Sequence, residues 1–242
     1  MDMNRKQFIG SLLAGITVGC NPAFATEQSE FDKCKADILY WVDNYLSVHD
    51  RLHGWLEMSP QQREYLKRMS ETKDYLFCAK GRQIGASIAN LVFARWKARF
   101  FENHHVFIVE PNLRCAEDAK HIDNCIFQLP SRCQEGSWVY ITTPKGIERG
   151  IDWHDPNKTF ILDEYAWWNQ NCMDKESWRS LCSNLSQPLL VKEHPKAFEK
   201  YACNFIVVST PSDHSDLFSM LVNNVDDSRR LILPSPTRGL KA

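Results

Sequence analysis

A glycine-containing turn between an apolar segment and a helical segment constrains this sequence more than any other feature. The turn runs from Lys80 to Ser87 and reads Lys-Gly-Arg-Gln-Ile-Gly-Ala-Ser. It follows the apolar segment 75–79 and precedes segment 88–95, whose pattern is typical of a helix. Backbone N–H groups at such a helix start lack intrahelical partners, and the helix dipole adds partial positive charge. The arrangement predicts a strand, a phosphate-binding loop and a helix in succession.

The position of the lysine distinguishes this loop from the usual P-loop. There, a lysine directly precedes the Ser or Thr, whereas Ala86 holds that place here. The nearest lysine is Lys80, at the upstream end of the loop. An ordinary glycine-containing turn is the alternative interpretation, and the loop alone does not decide between the two.

An acidic pair ends a second apolar segment. Asp163 and Glu164 follow residues 159–162, which read Thr-Phe-Ile-Leu. Adjacent carboxylates at a strand end suit phosphoryl transfer, because one can organise the Mg²⁺ shell while the other orients the attacking water. The pair therefore predicts a Walker B element. A solvated strand end is the alternative for an acidic pair in isolation.

Two weaker motifs lie on either side of these. The apolar segment 204–208 leads into Ser209-Thr210-Pro211, and residues 58–62 read Met-Ser-Pro-Gln-Gln before a helix-like segment, 63–69. Taken singly, the first motif is a common turn initiator and the second contains ordinary surface glutamines.

Together and in this order, the four motifs resemble those of the large terminase subunit of tailed bacteriophages, the ATPase that drives DNA into the procapsid. The resemblance covers residues 58–211, roughly two thirds of the chain. Some members of that family carry the loop lysine on the upstream side, as Lys80 does here. The resemblance implies ATP hydrolysis with Mg²⁺, and ATP and Mg²⁺ as the bound groups.

The resemblance also implies a role for each matching residue. Ser87 and Asp163 would hold Mg²⁺, and Glu164 would be the catalytic base. Gln62, or Gln61 as the fallback, would contact the adenine edge. Ser209 and Thr210 would sense the γ-phosphate and contact the nucleotide. The phosphate-binding residues would be Lys80, Gly81, Arg82, Gln83, Ile84, Gly85, Ala86 and Ser87.

Two arginines are candidates for stabilising the transferring phosphoryl group. Arg82 lies inside the loop, and Arg149 begins an Arg-Gly pair similar to one that terminases carry ahead of the Walker B strand. A positive charge at such a position offsets the charge that develops on the phosphoryl oxygens. A surface turn residue is the alternative for Arg149.

The partners implied by the resemblance are double-stranded DNA, a portal protein and a small terminase subunit, with the active form a homo-oligomeric ring. The net charge of −1 neither supports nor excludes DNA binding. Three other functional hypotheses remain open: an inactive prophage terminase remnant, an exported protein with a vestigial ATPase domain, and an ATPase of helicase type.

Alternating strand and helix patterns predict an α/β fold, P-loop NTPase-like, with a largely parallel sheet flanked by helices. Helices are expected at about 31–46 and 60–69, from 88 through about 101, and after the second strand through about 127. Strands are expected at 75–79, 105–111, 138–142, 159–164 and 204–208. We expect residues 1–30 to be an N-terminal extension, 31–220 the ATPase domain and 221–242 a short tail. The nuclease domain that follows the ATPase in terminases is not expected, because too few residues follow Pro211.

The N-terminus and the cysteines bear on location. Arg5 and Lys6 precede a mildly apolar stretch, and Ala23-Phe24-Ala25 has the form of a signal-peptidase site. The stretch is too short to span a membrane, and the nine cysteines include no CxxC motif. Since a packaging ATPase needs intracellular ATP, we expect a cytoplasmic protein with no membrane partner, and a cleaved leader over residues 1–25 as the competing hypothesis.

Overall fold

The computed structural model describes residues 22–46, 48–50, 54–126, 133–143, 154–167, 202–211 and 217–235. Eight strands lie within these ranges, of which the first two form a small antiparallel hairpin. Their bounds are β1 (Val48–Asp50), β2 (Gly54–Leu56), β3 (Tyr75–Lys80), β4 (His105–Val109), β5 (Trp138–Thr142), β6 (Lys158–Leu162), β7 (Asn204–Ser209) and β8 (Arg230–Leu233).

Six of these strands form one parallel sheet in the order β5-β4-β6-β7-β3-β8. Helices connect and cover the strands, as the alternating sequence pattern predicts. Their bounds are α1 (Pro22–Ala36), α2 (Ile38–Tyr45), α3 (Pro60–Glu71), α4 (Ala86–Phe100), α5 (Leu113–Ile126) and α6 (Leu217–Asn223). The predicted α/β, P-loop NTPase-like fold with a parallel sheet is confirmed.

Two elements differ from the sequence-based expectation. The helix expected over residues 31–46 divides in two, because the Asp37 side chain accepts a hydrogen bond from the Leu39 N–H at 2.8 Å and so starts α2. The stretch expected to be a C-terminal tail contributes β8 to the sheet, beside β3. Its four residues are too short a run to be recognised as a strand without their partner.

The two faces of the sheet are buried against different elements. Helix α4 covers the face that carries Cys78, Ile108 and Ile161. The other face carries large aromatic residues, including Phe77 and Phe160, and packs against α6 through Phe218. Within the described ranges, no helix is both long and apolar enough to cross a membrane.

Parallel pairing brings the carboxyl ends of the strands to one edge. Strand β7 lies between β3 and β6, so the residue that follows β7 stands between the end of the phosphate-loop strand and the acidic pair. In open parallel sheets this edge is where ligands bind.

Candidate active site

The predicted phosphate loop connects β3 to the start of α4. Gly85 is the N-cap residue of α4 and has a φ of 74°, a left-handed conformation that glycine adopts without a Cβ penalty. A Cβ on Gly85 would also lie 2.4 Å from Nε2 of Gln62. Ile84 is buried and anchors the loop, whereas Arg82 and Gln83 are exposed. Ala86 is the buried first residue of α4.

Strand β8 supports the loop from the opposite side. The Gly81 N–H donates to the Leu233 carbonyl at 2.7 Å. A Cβ on Gly81 would lie 2.3 Å from the backbone nitrogen of Ser235. Gly81 is therefore required by a close backbone approach, a reason that its place in the loop sequence did not indicate.

Lys80 and Glu164 meet at this edge of the sheet. The Lys80 ammonium donates to Oε1 of Glu164 at 2.5 Å and to Oγ1 of Thr210 at 3.2 Å. Lys80 is only 7% exposed, and the Glu164 side chain is 33% exposed. Lys80, at the end of β3, therefore contacts Glu164 of the acidic pair directly, although Ala86 occupies the usual position of the P-loop lysine.

Asp163 and Ser87 form a second contact beside the first. The Ser87 hydroxyl, in the first turn of α4, donates to Oδ2 of Asp163 at 3.0 Å. Asp163 is 1% exposed. Burial raises the pKa of its carboxyl, and the charge of Glu164 raises it further, against the opposing effects of Lys80 and the Ser87 hydrogen bond. A buried carboxylate beside a hydroxyl offers the hard oxygen ligands that Mg²⁺ binds, so these residues fit the ion.

Glu164 is held in a strained backbone conformation. Its φ is 49°, which costs a non-glycine residue on the order of 1 kcal/mol. Its Oε2 accepts hydrogen bonds from the Thr210 N–H at 3.1 Å and the Ser209 hydroxyl at 3.3 Å. The Ser209 hydroxyl in turn accepts from the Ala166 N–H at 3.0 Å. The end of β7 therefore fixes the orientation of the Glu164 carboxylate.

Gln62 joins the first motif to the phosphate loop. Its Oε1 accepts from the Ser59 N–H at 2.8 Å, and the Gln62 N–H donates to the Ser59 hydroxyl, which forms a capping box at the start of α3. Its Nε2 donates to the Gly85 carbonyl at 3.1 Å. A carboxamide has two N–H groups and two acceptor lone pairs, so one of each remains. Contact with adenine stays a prediction.

A cavity of about 360 Å³ opens beside these residues. It is lined by Lys80, Arg82, Gln83, Glu164 and Thr210, together with Pro111, Asn112 and Cys115. Arg82 and Glu164 therefore line the same cavity, and the role of Arg82 in stabilising the phosphoryl group stays a prediction. Sequence reasoning did not select the last three residues, which follow β4. Arg149 lies outside the described residues, so its role stays a prediction.

Sequence reasoning also missed Glu110, which follows β4 directly. Glu110 is 5% exposed. Its pKa is raised to about 9 by burial and by the charges of Asp163 and Glu164, while Lys80 acts in the opposite direction. An acidic residue at the end of a predicted strand was a usable signal, because the carboxyl ends of parallel strands converge.

The fold and this edge define a class: a parallel α/β domain with a P-loop NTPase-like fold, in which the predicted phosphate loop follows one strand and an acidic pair follows another. Among solved structures, the chain is similar to the large terminase from a thermophilic bacteriophage, with 12% identity, a TM-score of 0.49, and coverage of 74% of this chain and 44% of that one. It is also similar to the UvsW helicase from bacteriophage T4, with 9% identity, a TM-score of 0.49, and coverage of 95% and 76%.

No family model and no curated protein matches the chain. The matched part is less than half the length of the terminase from the thermophilic bacteriophage. The assignment of the site depends on this chain's own strand order and contacts.

Proposed function

We propose that this protein binds and hydrolyses ATP at the edge of the sheet formed by the ends of β3, β6 and β7. The observation that carries the proposal is that Lys80 and Glu164, which lie far apart in the sequence, contact each other and line one cavity with the loop residues Arg82 and Gln83. Beside them, Asp163 contacts Ser87 at the start of α4. Unpartnered N–H groups at the start of α4 would bind the phosphates.

Each residue has a distinct part in this proposal. Ser87 and Asp163 would hold Mg²⁺, which when bound offsets the negative charge on the phosphate oxygens. Lys80 would move its ammonium from Glu164 to a phosphate oxygen. That transfer would free Oε1 of Glu164 to accept a proton from the attacking water.

Ser209 and Thr210, at the end of β7, would respond to this change in the partner of Lys80. Ser209 and Thr210 hold Oε2 of Glu164, and Thr210 also contacts Lys80. A change in the partner of Lys80 therefore alters a contact of Thr210. This coupling is what a motor needs to convert the state of its nucleotide into movement.

We further propose that this ATPase acts in viral DNA packaging, as the motifs shared with large terminases suggest. Its partners would then be double-stranded DNA, a portal protein and a small terminase subunit, and its working form a homo-oligomeric ring in the host cytoplasm. Arg82 or Arg149 would stabilise the transferring phosphoryl group.

Turnover of radiolabelled ATP by the purified chain tests the hydrolysis step. We expect Glu164→Gln to lower turnover by about 10²-fold or more, while the affinity for ATP changes little, because a carboxamide keeps the shape but not the basicity. Lys80→Ala is expected to weaken ATP binding itself. Equal loss of binding and turnover in Glu164→Gln would contradict the role of Glu164, and turnover unaffected by Lys80→Ala would favour an inactive remnant with a contaminating activity.

A further inference from the structure

Glu110 follows β4, beside the strand end that carries the proposed metal ligand Asp163. In the β4–β6 ladder Val109 pairs with Leu162, so Glu110 and Asp163 are the next pair along. This ladder continues past the end of β6, because the Asp163 N–H donates to the Val109 carbonyl at 3.0 Å. On its other side, Glu110 extends the ladder between β4 and β5, since its N–H donates to the Thr142 carbonyl at 2.9 Å.

Side-chain alternation places both acids on the same face of the sheet. Ile108 and Ile161 share the core that α4 covers, and residues two positions further along a strand point the same way. Glu110 and Asp163 therefore lie on the α4 side, where Ser87 contacts Asp163. The charge of Asp163 raises the pKa of Glu110 and the charge of Lys80 lowers it, which is consistent with this proximity.

The Glu110 carboxyl is buried without a compensating contact among the described residues, where no hydrogen bond or ion pair to it is found. A buried carboxylate without a partner is costly. Lys80 pairs with Glu164 instead.

We propose that Glu110 is a positioning residue for Mg²⁺: its carboxylate accepts hydrogen bonds from water bound to the ion that Ser87 and Asp163 hold. Mg²⁺ keeps several of its waters in proteins, and residues that bind those waters orient the ion. The inference builds on the proposed ATP site and adds a specific acidic residue to it.

The affinity for a fluorescent ATP analogue, measured with Mg²⁺ and again with EDTA, tests this role. We expect Glu110→Gln to leave the EDTA affinity unchanged and to reduce the tightening by Mg²⁺ about tenfold. Binding of Mn²⁺ to the ADP complex, followed by electron paramagnetic resonance, should weaken by a similar factor. Glu117→Gln, an exposed acid on α5, is the matched control and should behave as the wild type.

The outcomes separate this inference from the proposed function. A wild type that binds no nucleotide in either condition contradicts the ATP site itself. A Glu110→Gln variant with the wild-type dependence on Mg²⁺, or with equal losses in Mg²⁺ and EDTA, overturns the role of Glu110 alone. Glu110→Asp, which keeps the charge on a shorter side chain, should retain more of the Mg²⁺ effect than the Gln variant; the reverse order also overturns it.

Discussion

Removal of the Lys80 charge should destabilise the nucleotide-free protein, and Lys80→Met tests this with little change in side-chain volume. Lys80 is 7% exposed and lies 2.5 Å from Glu164, with two more acids nearby. Loss of one partner of a fully buried pair costs about 3–5 kcal/mol. Because Glu164 is 33% exposed, solvent screens part of this interaction, and we expect a loss of about 2 kcal/mol in the free energy of unfolding.

Urea unfolding at neutral pH in EDTA measures this loss. Lys73→Met, at an exposed position just before β3, is the control and should change stability by less than about 0.5 kcal/mol. Adding Glu164→Gln to Lys80→Met should recover part of the loss, since it removes the charge left unpaired. A Lys80→Met variant as stable as the Lys73 control would refute the electrostatic reasoning.

Three further predictions concern other parts of the molecule. Burial lowers the pKa of His104 from 6.5 to about 3, and the positive charges of Lys97 and His105 act in the same direction. The neutral form of His104 therefore stabilises the fold above pH 6.5, and this contribution declines as the pH falls towards 3. At pH 5.5 we expect the free energy of unfolding to be about 1 kcal/mol lower than at pH 7.5 for this reason, which urea unfolding should show in the wild type and not in His104→Gln. Gly85→Ala should cost about 1–3 kcal/mol, because of its φ of 74° and its clash with Gln62; an unchanged melting temperature would contradict the observed loop conformation. Asp163→Asn should abolish the Mg²⁺ dependence of ATP binding in the fluorescence titration. Normal Mg²⁺ dependence in this variant would show that residues other than Asp163 hold the ion.

The sequence predicted those parts of the site whose chemistry lies in contiguous residues. The phosphate loop is recognisable because a strand, two glycines and a helix start adjoin one another between Tyr75 and Phe100. The acidic pair is recognisable for the same reason. The extra break at Asp37 and the strand β8 were not predicted, because a cap within a helical pattern and a four-residue strand give weak local signals.

Gln62 illustrates the limit of motif reasoning. Its spacing before the loop was visible in the sequence, yet the sequence did not show that its amide closes a capping box and also bonds Gly85. The contact with Gly85 depends on how α3 packs against the start of α4, and the pattern of apolar residues in the two segments does not predict that packing.

Local patterns along the chain thus sufficed for the α/β class, the phosphate loop and the paired acids. Only the tertiary structure decided that β7 separates β3 from β6, which places Thr210 between Lys80 and Glu164, and that Glu110 stands beside Asp163. The physical reason is that parallel strands pair through backbone hydrogen bonds between residues far apart in the chain. Strand order and register therefore follow from the packing of the whole domain, and no short segment contains them.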